Sequence, residues 1–393
     1  MEPTAFDLEK IHALYQAGHI DTAKQQYEAY LKINPNSADA WHALGMIFIE
    51  QKDLISGSQF IKKAVDLEPN NPIFQLHLAN ALKMRGLYQD ATDLLRETIK
   101  HHQDYSPAYN NLGILHFLQN KIAEAIAYYK IAILKDPHYI DAYYNLGLAL
   151  TKANQLEEAT ETYQYLIEHA PRHSAGKFQL ARIYMQQNSW EKALNLLVAL
   201  EQDYPEHLET QVNIATCYLK KGELEKSKIH YLKAIELDPT ELQALYNVAH
   251  ILMQENKLTE AIYYYEEVVK IDNSNFSAHN NLGAIYIFRQ QNELALKHFQ
   301  AAHRLQPENT YITHIIKILT QDSQLLTSPP AYISSLFDYY ADHYEQHLLN
   351  ALHYQAPQVL LNAFLTTSAP DDKLNILDIG CGTGLCGQLF KPY

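Results

Sequence analysis

Small and apolar residues recur along the chain every thirty-four positions from Thr4 to Asn309, and no insertion breaks the phase. Nine windows laid end to end begin at Thr4, Ala38, Pro72, Ser106, Ile140, Ser174, Leu208, Leu242 and Phe276. Column 20 is small in all nine, as in Ala23, Gly57, Ala91 and Ser227. Column 8 is small in the last eight, as in Gly45, Gly113, Gly147 and Gly283, each preceded by an aliphatic residue. Column 24 is always large and apolar, as in Tyr27, Ile61, Tyr163 and Phe299. Spacings of three and four separate the apolar columns inside each half-window, which is the period of one helix face. Column 32 is proline in seven windows, Pro35 and Pro137 among them, and proline cannot continue a helix. Each window is therefore expected to form two short helices and a stop. The two small columns mark where the paired backbones approach, and the column-24 side chain fills the space above them.

An aromatic residue followed by Leu-Gly, another aromatic, then a small column and a closing proline resembles the tetratricopeptide repeat (TPR). Trp41, Leu44, Gly45 and Phe48 carry the likeness, as do Tyr143, Leu146 and Gly147. It covers residues 1–309, about three quarters of the chain. The first window departs from it, with Asp7 and Lys10 at sites usually apolar, as a solvent-facing cap would; Gln103 and Asn273 stand where proline is expected. The resemblance implies an all-α fold, a right-handed superhelical solenoid of about nine helix pairs whose first helices line a concave side.

Column 6, beside the packing leucine but turned away from it toward solvent, holds Asn111, Asn145, Asn213, Asn247 and Asn281, with Gln179 and His77 in two further windows. A carboxamide both donates and accepts, so a row of them can hold the backbone of an extended peptide whatever its side chains. The row is similar to the asparagine ladder of the O-linked N-acetylglucosamine transferase family, and that likeness implies a peptide-binding role for these five asparagines. The competing reading is that they bond neighbouring helices across the groove. The many tyrosines, Tyr128-Tyr129 and Tyr263-Tyr264-Tyr265 included, fall at packing positions or beside them and read as core or rim.

Charge narrows the partner. Thirty-one basic against forty-five acidic side chains give a net charge of −14, which works against binding a polyanion, so a protein or peptide is expected rather than nucleic acid. No run of about 18 apolar residues and no basic-then-apolar leader is visible, so neither a membrane span nor a secretion signal is expected. Cys217, Cys381 and Cys386 form no disulfide framework, and a reducing cytoplasm is the simplest location.

Beyond Asn309 the period fails. Residues 310–330 read as one more amphipathic helix, capping the last repeat, and a linker ending at Ser328-Pro329-Pro330. Residues 331–393 begin with an aromatic helical segment in which His343 and His347 are four apart; without a third ligand, a surface or lid helix is favoured over a metal site, and no metal is expected. The stretch 374–379 then reads as an apolar strand entering a glycine-rich turn. Gly382, Gly384 and Gly387 spell a dinucleotide fingerprint, but Gly380 already occupies the place directly after the strand. Asp378, Gly380, Gly382 and Gly384 instead resemble motif I of class I S-adenosylmethionine-dependent methyltransferases, and Phe337-Asp338-x-Tyr340-Ala341 resembles the cofactor-covering helix of methyltransferases fused to TPR arrays. The resemblance implies S-adenosylmethionine as cofactor and a Rossmann-like α/β domain of which only a short, incomplete stub is expected here. Catalytic residues are not identifiable. Two functions follow: the partner-binding part of a methyltransferase acting on protein, or a stand-alone TPR adaptor without enzymatic activity.

Overall fold

The computed structural model describes residues 7–320 and a short helical stretch at 358–362. Among these residues there are nineteen numbered helices and no strand. They fall into two compact units, 1–239 and 240–393, a division that lies inside the run of repeats without interrupting the thirty-four-residue phase.

In the first unit α1 (Leu8–Gln16) pairs with α2 (Ile20–Ile33), α3 (Ala38–Glu50) with α4 (Leu54–Leu67), and α5 (Pro72–Met84) with α6 (Tyr88–His101). The pairs α7 (Ser106–Leu118) and α8 (Ile122–Lys135), and α9 (Ile140–Lys152) and α10 (Leu156–His169), follow. The last two are α11 (Ser174–Gln186) with α12 (Trp190–Asp203), and α13 (Leu208–Lys220) with α14 (Leu224–Leu237). The second unit holds α15 (Leu242–Gln254) and α16 (Leu258–Ile271), α17 (Phe276–Phe288) and α18 (Asn292–Leu305), and α19 (Thr310–Leu319), which packs on α18. Odd-numbered helices are the first of each pair. Each unit is thus a stack of TPR-type helix pairs.

The small columns act as the pattern predicts. A Cβ on Gly45 would lie 2.9 Å from the carbonyl oxygen of Gly57, so columns 8 and 20 bring the two backbones together. The closer neighbour is the column-24 side chain, which lies directly over column 8. A Cβ on Gly147 would meet Tyr163 Cζ at 2.5 Å, on Gly113 it would meet Tyr129 Cε1 at 2.5 Å, and on Gly283 it would meet Phe299 Cε2 at 2.7 Å. Those rings are fully buried, and burial of each contributes roughly 1.5–3 kcal/mol.

Two further columns hold the repeat together. Column 15 takes positive φ in every window: Gly18, Gly86 and Gly222, Asn120, Asn154, Asn188 and Asn256, and Lys52 and Gln290. This residue ends the first helix of each pair. At Asn120 its N–H donates to Phe117 O at 3.0 Å while Lys121 N–H reaches back to His116 O at 2.9 Å, a Schellman closure of the helix carbonyls.

Column 4 tethers six of the repeats to the one before. Trp41 Nε1 donates to Pro35 O (2.8 Å), Gln75 Nε2 to Pro69 O (2.6 Å), Tyr109 OH to Gln103 O (3.0 Å) and Tyr143 OH to Pro137 O (3.2 Å). Gln211 Nε2 donates to Pro205 O (2.9 Å) and His279 Nε2 to Asn273 O (3.2 Å). The acceptor is always the column-32 carbonyl. Gln103 and Asn273 preserve the turn without a proline because the tether needs only that backbone oxygen.

Candidate functional site

The candidate site is built on the first helices of the pairs, where column 6 comes directly before the packing aliphatic residue of column 7. Its side chains have a regular fate. His77 Nδ1 lies 2.6 Å from Nε2 of His42, Asn145 Nδ2 donates to Asn110 Oδ1 at 2.9 Å, and Asn281 Nδ2 donates to Tyr246 OH at 3.3 Å and Tyr265 OH at 2.8 Å. In each case one partner is the column-5 residue of the preceding repeat, and Asn281 adds that repeat's column-24 ring, Tyr265. Asn111 Nδ2 ties back in the same direction, one helical turn further along, to Asn80 Oδ1 at 2.9 Å. The expectation that these carboxamides all face solvent is therefore corrected: Asn111 is buried, and Asn111, Asn145 and Asn281 spend a donor on a neighbouring repeat. A tie between helices competes with partner binding for the same N–H groups, because each carboxamide has only two.

No tie to the preceding repeat is made by Gln179, Asn213 or Asn247. Column 5 before Asn213 is Phe178, and the half-buried Asn213 side chain has no hydrogen-bond partner among the described residues. Asn247 turns to its own helix and donates to Gln243 O at 2.8 Å. Gln179, the column-6 residue of α11, accepts from Arg182 Nη1 at 3.4 Å.

A cavity of about 400 Å³ opens beside this break, between α11 and α13 with the end of α12 as its floor. Phe178, Leu200 and Tyr204 supply apolar surface, while Gln179 and Arg182 on α11 face Glu209 on α13 across the rim. Leu200 is buried and Tyr204 is 52% exposed, so the floor is fixed at one end and reachable at the other. His207 also lines the cavity and caps α13: Thr210 N donates to its Nδ1 at 3.3 Å, and Thr210 Oγ1 lies 2.8 Å from the same atom. Accepting at Nδ1 places the ring hydrogen on Nε2. The ring also packs edge-on against Phe178, with centroids 5.5 Å apart at 85°. One repeat earlier the same two columns hold Tyr144 and His173, with centroids 5.1 Å apart, and His173 Nδ1 accepts from Gly176 N at 2.9 Å.

Histidines mark the two ends of the described repeats. His42 and His77 stack with centroids 4.9 Å apart, and burial, reinforced by His77 and then His12, pushes the His42 pKa down to about 4. In the second unit His279 Nδ1 lies 3.1 Å from His298 Nδ1, and burial, then His279, pushes His298 down to about 4. Because His279 Nε2 donates to Asn273 O, its Nδ1 accepts, and His298 Nδ1 carries the shared hydrogen.

His343, His347, Asp378, Gly380, Gly382 and Gly384 lie outside the described residues. Among the described residues no group of three His, Cys, Asp or Glu side chains could hold a metal ion, and no helix is long and apolar enough to cross a membrane. Arg182 and Glu209 stand in columns that keep no one kind of residue. Phe178, Gln179 and Arg182 do share one face of α11 by their spacing, and that was the available signal.

Comparison with known proteins returns repeat models along the same stretch. Tetratricopeptide-repeat models match residues 5–47, 110–174, 152–206, 208–241, 230–263 and 249–288, and the TPR-domain model of cytochrome c-type biogenesis protein H matches 28–135. Superkiller complex protein 3 of Mus musculus is 27% identical over 108 residues, covering 28% of this chain and 7% of that protein. The probable UDP-N-acetylglucosamine–peptide N-acetylglucosaminyltransferase SPINDLY of Hordeum vulgare is 26% identical over 114 residues, 27% of this chain and 12% of that protein. The matched stretch thus spans a small fraction of either relative. Among solved structures, the C-terminal part of a TPR repeat-containing protein from Cytophaga hutchinsonii superposes with a TM-score of 0.54 at 15% identity, covering 62% of this chain and 99% of that one. That likeness concerns the fold alone.

Proposed function

We propose that this chain, which is a tetratricopeptide-repeat protein, binds an extended segment of a partner protein along the first helices of its repeats. One observation carries the reading: at Phe178 and Asn213 the inter-repeat tie is interrupted, which leaves a carboxamide unspent beside an open cavity lined by Gln179 and Arg182. An open polar face on a rigid helical scaffold suits recognition of main-chain groups. The test uses peptides selected from a random dodecapeptide display library and measured by fluorescence anisotropy on the full chain. Replacing Gln179 and Asn213 together by alanine should weaken binding about tenfold or more with the far-UV spectrum unchanged, since about two main-chain hydrogen bonds are removed. Unchanged affinity would refute the role of the row.

We further propose, on the resemblance of Asp378, Gly380, Gly382 and Gly384 to motif I, that the peptide-binding repeats serve a methyltransferase and deliver a protein substrate to it. These four residues would hold the methionine part of S-adenosylmethionine; the cofactor supplies the methyl group, and this chain's part is to bind the cofactor. Titration calorimetry with S-adenosylmethionine on this chain and on Asp378→Ala is the direct measurement. Heat that is absent, or unaffected by the substitution, favours the alternative of an adaptor that only joins proteins.

A further inference from the structure

We infer that the cavity between α11 and α13 is an anchor subsite for one aromatic side chain of the bound peptide, with the adjoining main chain held between Arg182 and Glu209. The inference rests on the peptide-binding reading and adds to it a requirement for side-chain identity. Phe178 on the α11 wall and Leu200 and Tyr204 on the floor give the cavity apolar surface, and its volume of about 400 Å³ exceeds what one water or a small aliphatic group would fill. Two aromatic rings in its lining, one of them already packed edge-on against His207, offer the offset and edge-to-face contacts that a third ring prefers.

The rim decides what the anchor is attached to. Arg182 and Glu209 stand on opposite walls, so a ligand of either net charge would meet one wall of its own sign. A peptide unit has no net charge but a strong dipole. Its carbonyl can accept from Arg182 and from the side-chain N–H groups of Gln179, whose oxygen is already engaged by Arg182, while its N–H donates to Glu209. An uncharged main chain carrying a large ring therefore satisfies both walls and the floor together. The subsite is also preorganised, because His207 is held at the α13 N-terminus by Thr210 and in turn holds Phe178, so little ordering remains to be done on binding.

The test is fluorine NMR of N-acetyl-4-fluorophenylalanine amide added to the full chain. We expect saturable broadening of the probe signal, displaced by N-acetyl-phenylalanine amide and not by N-acetyl-alanine amide at the same concentration. Ala175→Trp, which fills the cavity from the exposed first turn of α11, should weaken the probe about tenfold or more, and Glu209→Gln and Arg182→Gln about threefold each. An unchanged urea midpoint shows that the fold is kept, and Tyr204→Ala, at a side chain that is 52% exposed, gives the same loss by removing floor instead of filling space. Absence of saturable binding, or binding indifferent to both Ala175→Trp and Tyr204→Ala, overturns the subsite. Library peptides that lack aromatics and still bind Ala175→Trp overturn it too while leaving peptide binding intact; a library that yields no binder overturns the peptide-binding reading itself.

Discussion

Gly147→Ala tests how the repeat is packed. The new Cβ would lie 2.5 Å from Tyr163 Cζ and 2.6 Å from Cε1, closer than real Cβ contacts come, and Tyr163 is fully enclosed. Overpacking of this kind costs roughly 1–3 kcal/mol. Against it, alanine gains about 1 kcal/mol over glycine in a helix interior. Other windows place the result: Ala215 and Ala249 already precede Tyr231 and Tyr265 in the same two columns, so the fold can let the ring move. A net loss of about 1 kcal/mol is expected. The sharper quantity is the coupling to Tyr163→Leu, because the pair Ala181 and Leu197 occupies these columns one repeat later with both side chains fully buried. Tyr163→Leu alone should destabilise through the space it leaves, but when combined with Gly147→Ala part of that space is filled, giving a favourable coupling of about 1 kcal/mol or more. Repeats unfold semi-independently, so amide hydrogen exchange in α9 and α10 reads the local free energy better than a global melt. Additivity within about 0.5 kcal/mol would show that column 24 does not press on column 8 and would refute the packing argument.

Other columns give their own tests. Gln290→Gly and Lys52→Gly should each stabilise by roughly 0.5–1 kcal/mol in thermal unfolding, since both side chains sit at positive φ (59° and 64°) where the strain of a Cβ outweighs the added entropy of glycine in the unfolded chain. Tyr109→Phe should cost about 0.5–1.5 kcal/mol because Tyr109 OH is the column-4 donor to Gln103 O; Tyr143→Phe should cost less, since Tyr165 OH also reaches Pro137 O at 3.4 Å, and equal losses in urea unfolding would contradict the tether. Stability should also fall on acidification. His42 and His298 titrate near 4 when folded against an ordinary 6.5, so the unfolded chain takes up protons first; their contribution is complete above about 6.5 and is lost as pH falls toward about 4. Urea midpoints at pH 7 and pH 5 check this, with His279→Gln, which keeps a donor for Asn273 O and copies the Gln211–His230 pair, expected to narrow the difference.

What the chain disclosed depended on whether a column keeps one kind of residue. Columns 8, 20 and 24 do, because a backbone approach and the ring above it admit few side chains, and so the paired helices could be read from spacing alone. Column 15 is as uniform in conformation yet holds glycine, asparagine, lysine and glutamine, since what it supplies is a φ angle rather than a side chain. Column 4 hides a shared role behind indole, carboxamide, phenol and imidazole, all of which can carry a donor to one carbonyl. The same reasoning separates the five asparagines. Their identity marked a polar face, but whether an N–H is spent depends on the acceptors the preceding repeat offers, where Asn80 accepts from Asn111, Asn110 from Asn145, and Tyr246 and Tyr265 from Asn281. At Asn213 the column-5 residue of that repeat is Phe178, which cannot accept and instead forms the wall of the cavity. Leu76 before Asn111 is apolar too, yet Asn80 one turn further along accepts that N–H, so a free rung is recognised by the acceptors the preceding repeat offers rather than by its own identity.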